Sequence, residues 1–345
     1  MDKKLTVKNV FVYCEITDGA IAEVSLELLT KGRQLAFKLD CGLEAILIGH
    51  QLDELAQTLY PYGVDIVHIA DDKRLINYLT LPHARILINL FSQELPQIVL
   101  FGGTMIGRDV SPRVASALRC GLTADCTSLV IGDYSERKTK KEYHNLLYQI
   151  RPAFGGNILA TIINPDMHPQ MATVREGVMK KEIFDPDYKG KLNQLDAEKW
   201  LSDAEFAVSI IDRHITEKKI DIKNTPIIVA GGYGVGTKEN FELLFQLAKL
   251  LGGDVAGTRA AVDAGFIEHE RQVGQTGLTV RPKLYIACGI SGAIQHVAGM
   301  DQSAQIISIN TDPHAPINAI ADYAIIGDLM EVIPKIIRTY IKNSK

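Results

Sequence analysis

Short apolar runs alternating with helical stretches restrict the folding of this chain more than any other feature. Val10 to Tyr13, Ala45 to Ile48, Ile66 to Ile69, Ile98 to Phe101 and Leu129 to Ile131 have the length and make-up of strands buried on both faces. Strands of that kind, separated by helices, form a mostly parallel sheet with helices covering its faces. The alternation restarts at Pro226, where Ile227 to Ala230 runs into Gly231-Gly232-Tyr233-Gly234-Val235-Gly236 and then a helix. Phe241, Leu244, Phe245, Ala248 and Leu251 share one face of that helix, and Gly252-Gly253 stops it. Leu284 to Cys288, Ile306 to Ile309 and Ala324 to Ile326 follow as strands, each running into Gly or Asn. The expected fold class is α/β in two domains, each built on a mostly parallel sheet.

With 345 residues the chain exceeds what one core usually serves. The division is expected near residue 205, giving domains 1–205 and 206–345. Two apolar runs between Leu146 and Asn164 flank Arg151-Pro152-Ala153-Phe154-Gly155-Gly156-Asn157, which reads as a turn between adjacent strands. From Lys180 to Lys199 the periodicity is lost and charge accumulates, so this stretch is expected to be a linker. No run of apolar residues is long enough for a membrane span, and the start lacks the pattern of a secretion signal, so a cytoplasmic protein is expected. Cys14, Cys41, Cys120, Cys126 and Cys288 are an odd number without metal-type spacing and read as packing residues in a reducing compartment. A net charge of -4 with no basic segment argues against nucleic acid; the nearest basic run, Arg137 to Lys141, reads as an exposed turn.

Ligands of open α/β sheets bind beyond the carboxyl ends of the strands, where backbone N–H groups and helix starts point. The Gly231 to Gly236 turn could cradle a phosphate, but a plain strand-to-helix turn explains its glycines equally well, because the dinucleotide fingerprint is incomplete. Arg271-Gln272-Val273-Gly274-Gln275-Thr276-Gly277 is more telling, since so many hydrogen-bonding groups are costly in a core and suit a binding loop. After the strand ending at Cys288, Ser291 stands where a helix N-cap would, with Gly292 and Ala293 opening the helix and His296 one turn further on. Taken alone, two side chains favour bland readings: His296 as a satisfied core histidine, and Arg259 as the partner of Asp263 on a helix face. No catalytic or metal-ligating residue is assigned.

Three segments carry a resemblance. Gly257 to Gly265, Gln272 to Gly277 and the run Leu284-Tyr285-Ile286-Ala287-Cys288-Gly289-Ile290-Ser291-Gly292-Ala293-Ile294-Gln295-His296 resemble the alpha subunit of electron transfer flavoproteins in order and spacing. In the first half, Phe101-Gly102-Gly103, Gly107-Arg108-Asp109, Gly121 to Asp125, Arg151 to Asn157 and Thr173-Val174-Arg175 look like the same family. The resemblance implies a Rossmann-like second domain that holds FAD and a first domain that contacts a beta subunit. It implies cofactor contacts from Tyr233, Thr258, Arg259, Val273, Gly274, Gln275, Thr276, Ser291, Gly292, Ala293, Ile294, Gln295, His296, Asn310, Asp328 and Leu329. Within that set, the Thr276 hydroxyl would face flavin N5, His296 the C2 carbonyl and N1 side, and Arg259 the ring. Reduction places negative charge at the N1 and C2 carbonyl locus, so a cation or donor aimed there favours the reduced cofactor. The Ser291 segment would suit the pyrophosphate, and Asn310 and Asp328 the ribose or adenine.

The implied function is electron transfer between acyl-CoA dehydrogenases and other redox partners. Some relatives bifurcate electrons from NADH to ferredoxin and an enoyl-CoA through a flavin in the beta subunit, and the sequence leaves both modes open. One departure stands out: Gly232-Tyr233-Gly234 occupies the place where the family commonly has Gly-Arg-Gly. Two rival readings compete with this one, a single-chain nicotinamide-dependent dehydrogenase and a nucleotide-binding regulatory module. The first is disfavoured because Asp254, the acid nearest the ribose-binding spacing, follows Gly252-Gly253 with no strand before it.

Overall fold

The computed structural model describes residues 8–136, 140–153, 158–212, 222–223 and 225–343. The chain divides into two compact units, the first of Met1–Ala153 and Leu159–Arg213, the second chiefly of His214–Lys345. In chain order the first unit has strands β1 (Val10–Tyr13), β2 (Ile16–Thr17), β3 (Ala20–Ile21), β4 (Leu43–Gly49), β5 (Ile66–Asp71) and β6 (Ile98–Gly102). After these come β7 (Leu122–Cys126), β8 (Ser128–Ser135), β9 (Glu142–Ala153), β10 (Ile158–Ile162), β11 (Gln170–Val174) and β12 (Lys191–Gln194). Seven of them form one parallel sheet in the order β12-β5-β4-β1-β6-β11-β7. Its two faces bury separate apolar clusters, one holding Leu28, Leu43 and Leu47, the other Phe11, Ile46 and Phe101. Of these strands, β1, β4, β5 and β6 are apolar runs read from the sequence, buried on both faces as a parallel sheet requires, whereas β7 and β11 were not read there.

Two expectations are corrected. Leu129 to Ile131 was expected among the parallel strands, but β8 pairs antiparallel with β9 in a separate three-stranded sheet, β10-β9-β8. A short apolar run carries no information about the direction of its partner. The stretch from 180 to 199 is not simply a linker, because β12 joins the large sheet as an edge strand beside β5. All four β12 residues are exposed, so no hydrophobic period marks the strand. Its main-chain ladder holds it, together with a buried polar row across the sheet. The Asn193 amide contacts His68 Nδ1 at 2.8 Å, the other ring nitrogen of His68 meets the Glu44 carboxylate, and Asn9 bonds the same carboxylate. The strand ends flanking the expected 151–157 turn are in β9 and β10, and residues 154–157 and 137–139 lie outside the described residues.

The second unit has β13 (Ile227–Gly231), β14 (Asp254–Gly257), β15 (Leu284–Cys288), β16 (Ile306–Asn310) and β17 (Tyr323–Ile326), all parallel, in the order β14-β13-β15-β16-β17. The chain starts in β13, steps to one side and then crosses to the other. A switch point therefore lies between β13 and β15, and a ligand crevice is expected beyond their carboxyl ends. Helix Lys238–Leu251 is capped by Thr237, whose Oγ1 accepts from Asn240 N at 3.3 Å, and ends at Gly252 with φ of 72°. Its buried side chains Phe241, Leu244 and Leu247 share a cluster with Leu329 and Ile333 of helix Leu329–Asn343. The five cysteines are all free thiols, with Cys14, Cys126 and Cys288 buried and Cys41 and Cys120 half-buried.

His83, on helix Thr80–Glu94, is 3% exposed and stacks on Tyr78 with centroids 4.8 Å apart. Neither ring nitrogen has a hydrogen-bond partner among the described residues, and burial pushes its pKa down to about 3. The folded ring therefore stays neutral where the unfolded ring, near 6.5, takes a proton. The stability this provides is complete above the unfolded value and is lost as pH falls toward the folded one. His83→Leu should raise stability at pH 5 by about 1–2 kcal/mol more than at pH 7.5. Urea denaturation at the two pH values measures the difference, and an equal effect at both would contradict a neutral buried ring.

Candidate functional site

The site begins where two turns meet. Beyond β13, Gly232 N donates to Cys288 O at 2.9 Å and Gly234 N donates to Gly289 O at 3.1 Å. A Cβ on Gly232 would lie 2.2 Å from Gly289 O, and one on Gly234 would lie 2.8 Å from the same oxygen. Gly289 itself has φ of 60°. These glycines are required because two backbones touch at the switch point. That contact accounts for the incomplete fingerprint, since the glycines answer a neighbouring turn as much as any phosphate.

The loop from 271 to 278 is built onto the end of β14. Val273 N donates to Gly257 O at 2.9 Å, and Leu278 N returns to Gln272 O at 2.7 Å. Arg271 anchors the entry, donating to Asp254 Oδ1 at 2.5 Å and Val255 O at 2.7 Å while its guanidinium covers the Phe245 ring. Gln272 Nε2 donates to Thr276 Oγ1 at 3.0 Å. Gln275 N donates to Gln295 O at 2.6 Å, tying this loop to the segment after β15. The polar residues that made the loop look like a binding segment thus serve partly to hold its shape.

His296 makes the second tie. Its Nδ1 lies 3.0 Å from Val273 O and its Nε2 lies 3.0 Å from the Tyr285 hydroxyl. A carbonyl can only accept, so Nδ1 carries the hydrogen and, in the neutral ring, Nε2 accepts from Tyr285. Burial pushes the pKa down to about 4, opposed by the bond to Val273. The expectation that His296 offers a donor to the flavin C2 carbonyl meets a ring whose two nitrogens are both engaged within the protein.

These segments enclose a cavity of about 750 Å³ beyond the ends of β14, β13, β15 and β16, within the range of small-molecule and cofactor sites. Tyr233, Thr258, Arg259, Val273, Gly274, Gln275, Thr276, Ser291, Ala293, Gln295, His296 and Asn310 line it. Gly232, Gly234 and Gln272, from the turn and loop read as candidate binding segments, also line it, as do Gly289, Ile290, Asp263, Asp312, Ala260, Ala315 and Pro316, which were not assigned from the sequence. The rule that ligands lie beyond strand ends could have flagged Asp312, two residues past β16; for Ala315 and Pro316 no sequence signal stood out. Thr258 caps helix Arg259–Asp263, accepting from Ala261 N at 3.3 Å. Arg259 Nε lies 3.4 Å from Asp263 Oδ2, with both side chains mostly exposed, so the helix-face pair is present in a residue that also lines the cavity. Tyr233 is 65% exposed, and its ring stacks on Phe266 with centroids 5.8 Å apart.

Four assigned residues are not among those lining the cavity. Gly292 packs against the helix Ile317–Ile320, where a Cβ would come 2.2 Å from Ile317 N, and Ile294 is 48% exposed beside the cavity wall. Asp328 accepts from Met330 N at 2.8 Å at the start of the last helix, and Leu329 is in the core. Both follow β17, the outer strand, one place beyond those whose ends form the cavity. The helix after β15 also differs from expectation: its N-cap is Ala293, with no side-chain cap, and it spans only Ile294–Val297. Ser291 is not the cap, because Gly292 turns left-handed at φ of 89° and the Ser291 carbonyl accepts from Ile317 N.

Asp254 proves to be the first residue of β14, at the end of the sheet away from the cavity and paired with Arg271. It therefore cannot serve as the ribose-binding acid of a nicotinamide site.

Comparison with known proteins adds a family to this geometry. The family model for the electron transfer flavoprotein domain matches residues 10–200, and that for the electron transfer flavoprotein FAD-binding domain matches residues 221–301. The chain is 46% identical to electron transfer flavoprotein subunit alpha of Thermoanaerobacterium thermosaccharolyticum, covering 96% of this chain and 97% of that one. It is 39% identical to the acryloyl-CoA reductase electron transfer subunit beta of Anaerotignum propionicum, covering 96% and 95%. It is also 38% identical to the LctC subunit of the NAD(+),ferredoxin lactate dehydrogenase of Acetobacterium woodii, covering 98% of this chain and 78% of that protein.

The turn-to-turn contact can be tested apart from glycine's flexibility. Gly232→Ala drives a methyl into a neighbouring carbonyl and should destabilise the second unit by about 3 kcal/mol. Gly236→Ala strains only a φ of 91°, with Asn240 Nδ2 at 3.6 Å from the added carbon, and should cost about 1 kcal/mol. Thermal denaturation ranks the two variants; equal losses would mean that the contact does not govern this turn.

Proposed function

The chain belongs to the electron transfer flavoprotein alpha-subunit family, and on that premise we propose that the cavity beyond β13 and β15 is where it holds FAD. The flavin supplies reversible electron uptake and release; the chain's own residues bind it, orient it and set the charge around it. One observation carries the reading: the segments that resemble the family's cofactor-binding segments converge on one cavity at the switch point of the second sheet. The residues present suit such a group. Val273, Ile290, Ala315 and Pro316 provide apolar wall, while Gln275, Thr276 and Ser291 provide polar groups and Arg259 a permanent cation. Alpha subunits of this family pair with a beta subunit. The finer assignments are part of the proposal: an acyl-CoA dehydrogenase as redox partner, a cytoplasmic location, and, through the beta subunit, NADH and ferredoxin. The names of the acryloyl-CoA reductase and lactate dehydrogenase relatives support a place in an electron-bifurcating system alongside the simple carrier role.

Coexpression with a beta subunit should yield a yellow complex whose alpha chain retains FAD, whereas the chain alone should release it readily. Flavin counting and the visible spectrum of both preparations decide the matter. A colourless complex, or FAD held equally tightly by the isolated chain, would overturn the paired-carrier reading.

Two substitutions separate charge from contact. Arg259→Ala removes a permanent cation from the cavity wall and should make the flavin harder to reduce by on the order of 1 kcal/mol, a modest figure because the guanidinium is well solvated. Tyr233→Ala should leave the potential unchanged and weaken FAD binding by about 1 kcal/mol if its ring packs on the cofactor. Redox titration and FAD dissociation constants read the two effects independently, and unchanged values in both variants would remove these residues from the site.

A further inference from the structure

Tyr285 is a fully buried hydroxyl bearer behind the cavity wall; it belongs to the Leu284 to His296 run, but no role has been given to it. It lies on β15 with 0% exposure, its ring within 6.1 Å of the His296 ring, and its hydroxyl 3.0 Å from His296 Nε2. His296 in turn lines the cavity and is fixed on its other side by Val273 O. The two partners differ in kind. Val273 O accepts only, so Nδ1 keeps its hydrogen in every protonation state. A phenol hydroxyl both donates and accepts, so it can satisfy Nε2 whether or not that nitrogen carries a proton.

We propose that Tyr285 is a positioning residue whose hydroxyl lets His296 gain and lose a proton in place. With the ring neutral, the hydroxyl donates to Nε2. When solvent delivers a proton to Nε2, the hydroxyl turns about its C–O bond and accepts from the new N–H, and the ring does not move. Burial holds the ring neutral, with a pKa near 4, when the cavity carries no negative charge. Negative charge arriving in the cavity raises the proton affinity of the imidazole. This coupling to the flavin rests on the placement of FAD proposed above; the link between Tyr285 and His296 does not.

The surrounding groups leave Tyr285 as the only titratable group in contact with the ring among the contacts described here. Cys288, further along β15, is a buried thiol with its pKa pushed up to about 12. The 272–276 loop brings Gln272, Gln275 and Thr276, which carry no charge. On the wall of the cavity Arg259 is paired with Asp263, and Asp312 lies past β16. Asp301, in the segment after the His296 helix, interacts with Arg281.

Tyr285→Phe deletes one oxygen and keeps the ring that fills the core. The neutral imidazole then loses a donor, but the protonated ring is left with a buried, unpartnered N–H, the more costly loss. In the full chain freed of flavin, NMR of 15N-labelled histidine should show His296 as the Nδ1–H tautomer, with its proton affinity about ten-fold lower in Tyr285→Phe than in wild type. In the FAD-loaded complex, the break that His296 puts into the plot of potential against pH should move down by about one pH unit in Tyr285→Phe. In a His296→Gln background, Tyr285→Phe should leave that plot unchanged. An unmoved His296 ionisation, or an equal effect of Tyr285→Phe in both backgrounds, overturns the proposal. If His296→Gln leaves the plot unaltered while the NMR shift appears, the placement of FAD fails and the tyrosine–histidine link stands.

Discussion

The second unit depends on two backbone hydrogen bonds, Gly232 N to Cys288 O and Gly234 N to Gly289 O, that lock the turn after β13 onto the turn after β15. They cross the point where the chain, having stepped from β13 to β14, passes over to β15. With three glycines in contact, the two turns approach more closely than any side chain would allow. The residues following each strand are thereby brought toward one crevice. Thr258 and Arg259 reach it from β14, Ser291 and His296 from β15, and Asn310 from β16.

A second layer of ties converts that crevice into a defined wall. Gln275 N to Gln295 O and His296 Nδ1 to Val273 O join the loop that follows β14 to the segment that follows β15, although 23 residues separate the second pair and the first is scarcely closer in sequence. One bond is wholly main-chain and the other joins the His296 ring to a main-chain carbonyl, so neither uses the Gln275 or Thr276 side chain, and both of those residues line the cavity. The first unit treats the corresponding place differently. Its sheet also reverses direction, with β1 central, β4 on one side and β6 on the other. There the protein's own groups fill the ends: Thr104, the N-cap of helix Met105–Leu118, donates to the buried carboxylate of Glu15, whose pKa burial raises to about 7. At the switch point the first sheet is filled by the protein's own groups, where the second carries a cavity.

Strands β1, β4, β5, β6, β13, β15 and β16 were legible because burial on two faces demands apolar runs, whereas β7, β11 and β14 were not read; the helix from Lys238 was legible because one buried face leaves a three-four spacing. The strand β12 was not, since an exposed edge strand held by its ladder and by Asn193 has no apolar period. Nor was the antiparallel pairing of β8, because the direction of a partner depends on where the chain turns next. Asp328 and Leu329 sit at a strand end like the others and are indistinguishable from them in sequence; the cavity ends one strand short of them, at β16.

What the sequence by itself determined is the local grammar: which runs are strands, where glycine must stand, and which loop is too polar for a core. Its ordered motifs also carried the family resemblance and, with it, FAD. Only the tertiary structure decided what those groups face. It turned the glycines of the phosphate-like turn toward another turn, and gave His296 a carbonyl on one nitrogen and Tyr285 on the other. Each of those outcomes depends on distances between segments far apart in the chain, and a distance across a fold is a property of packing that no local pattern of residues encodes.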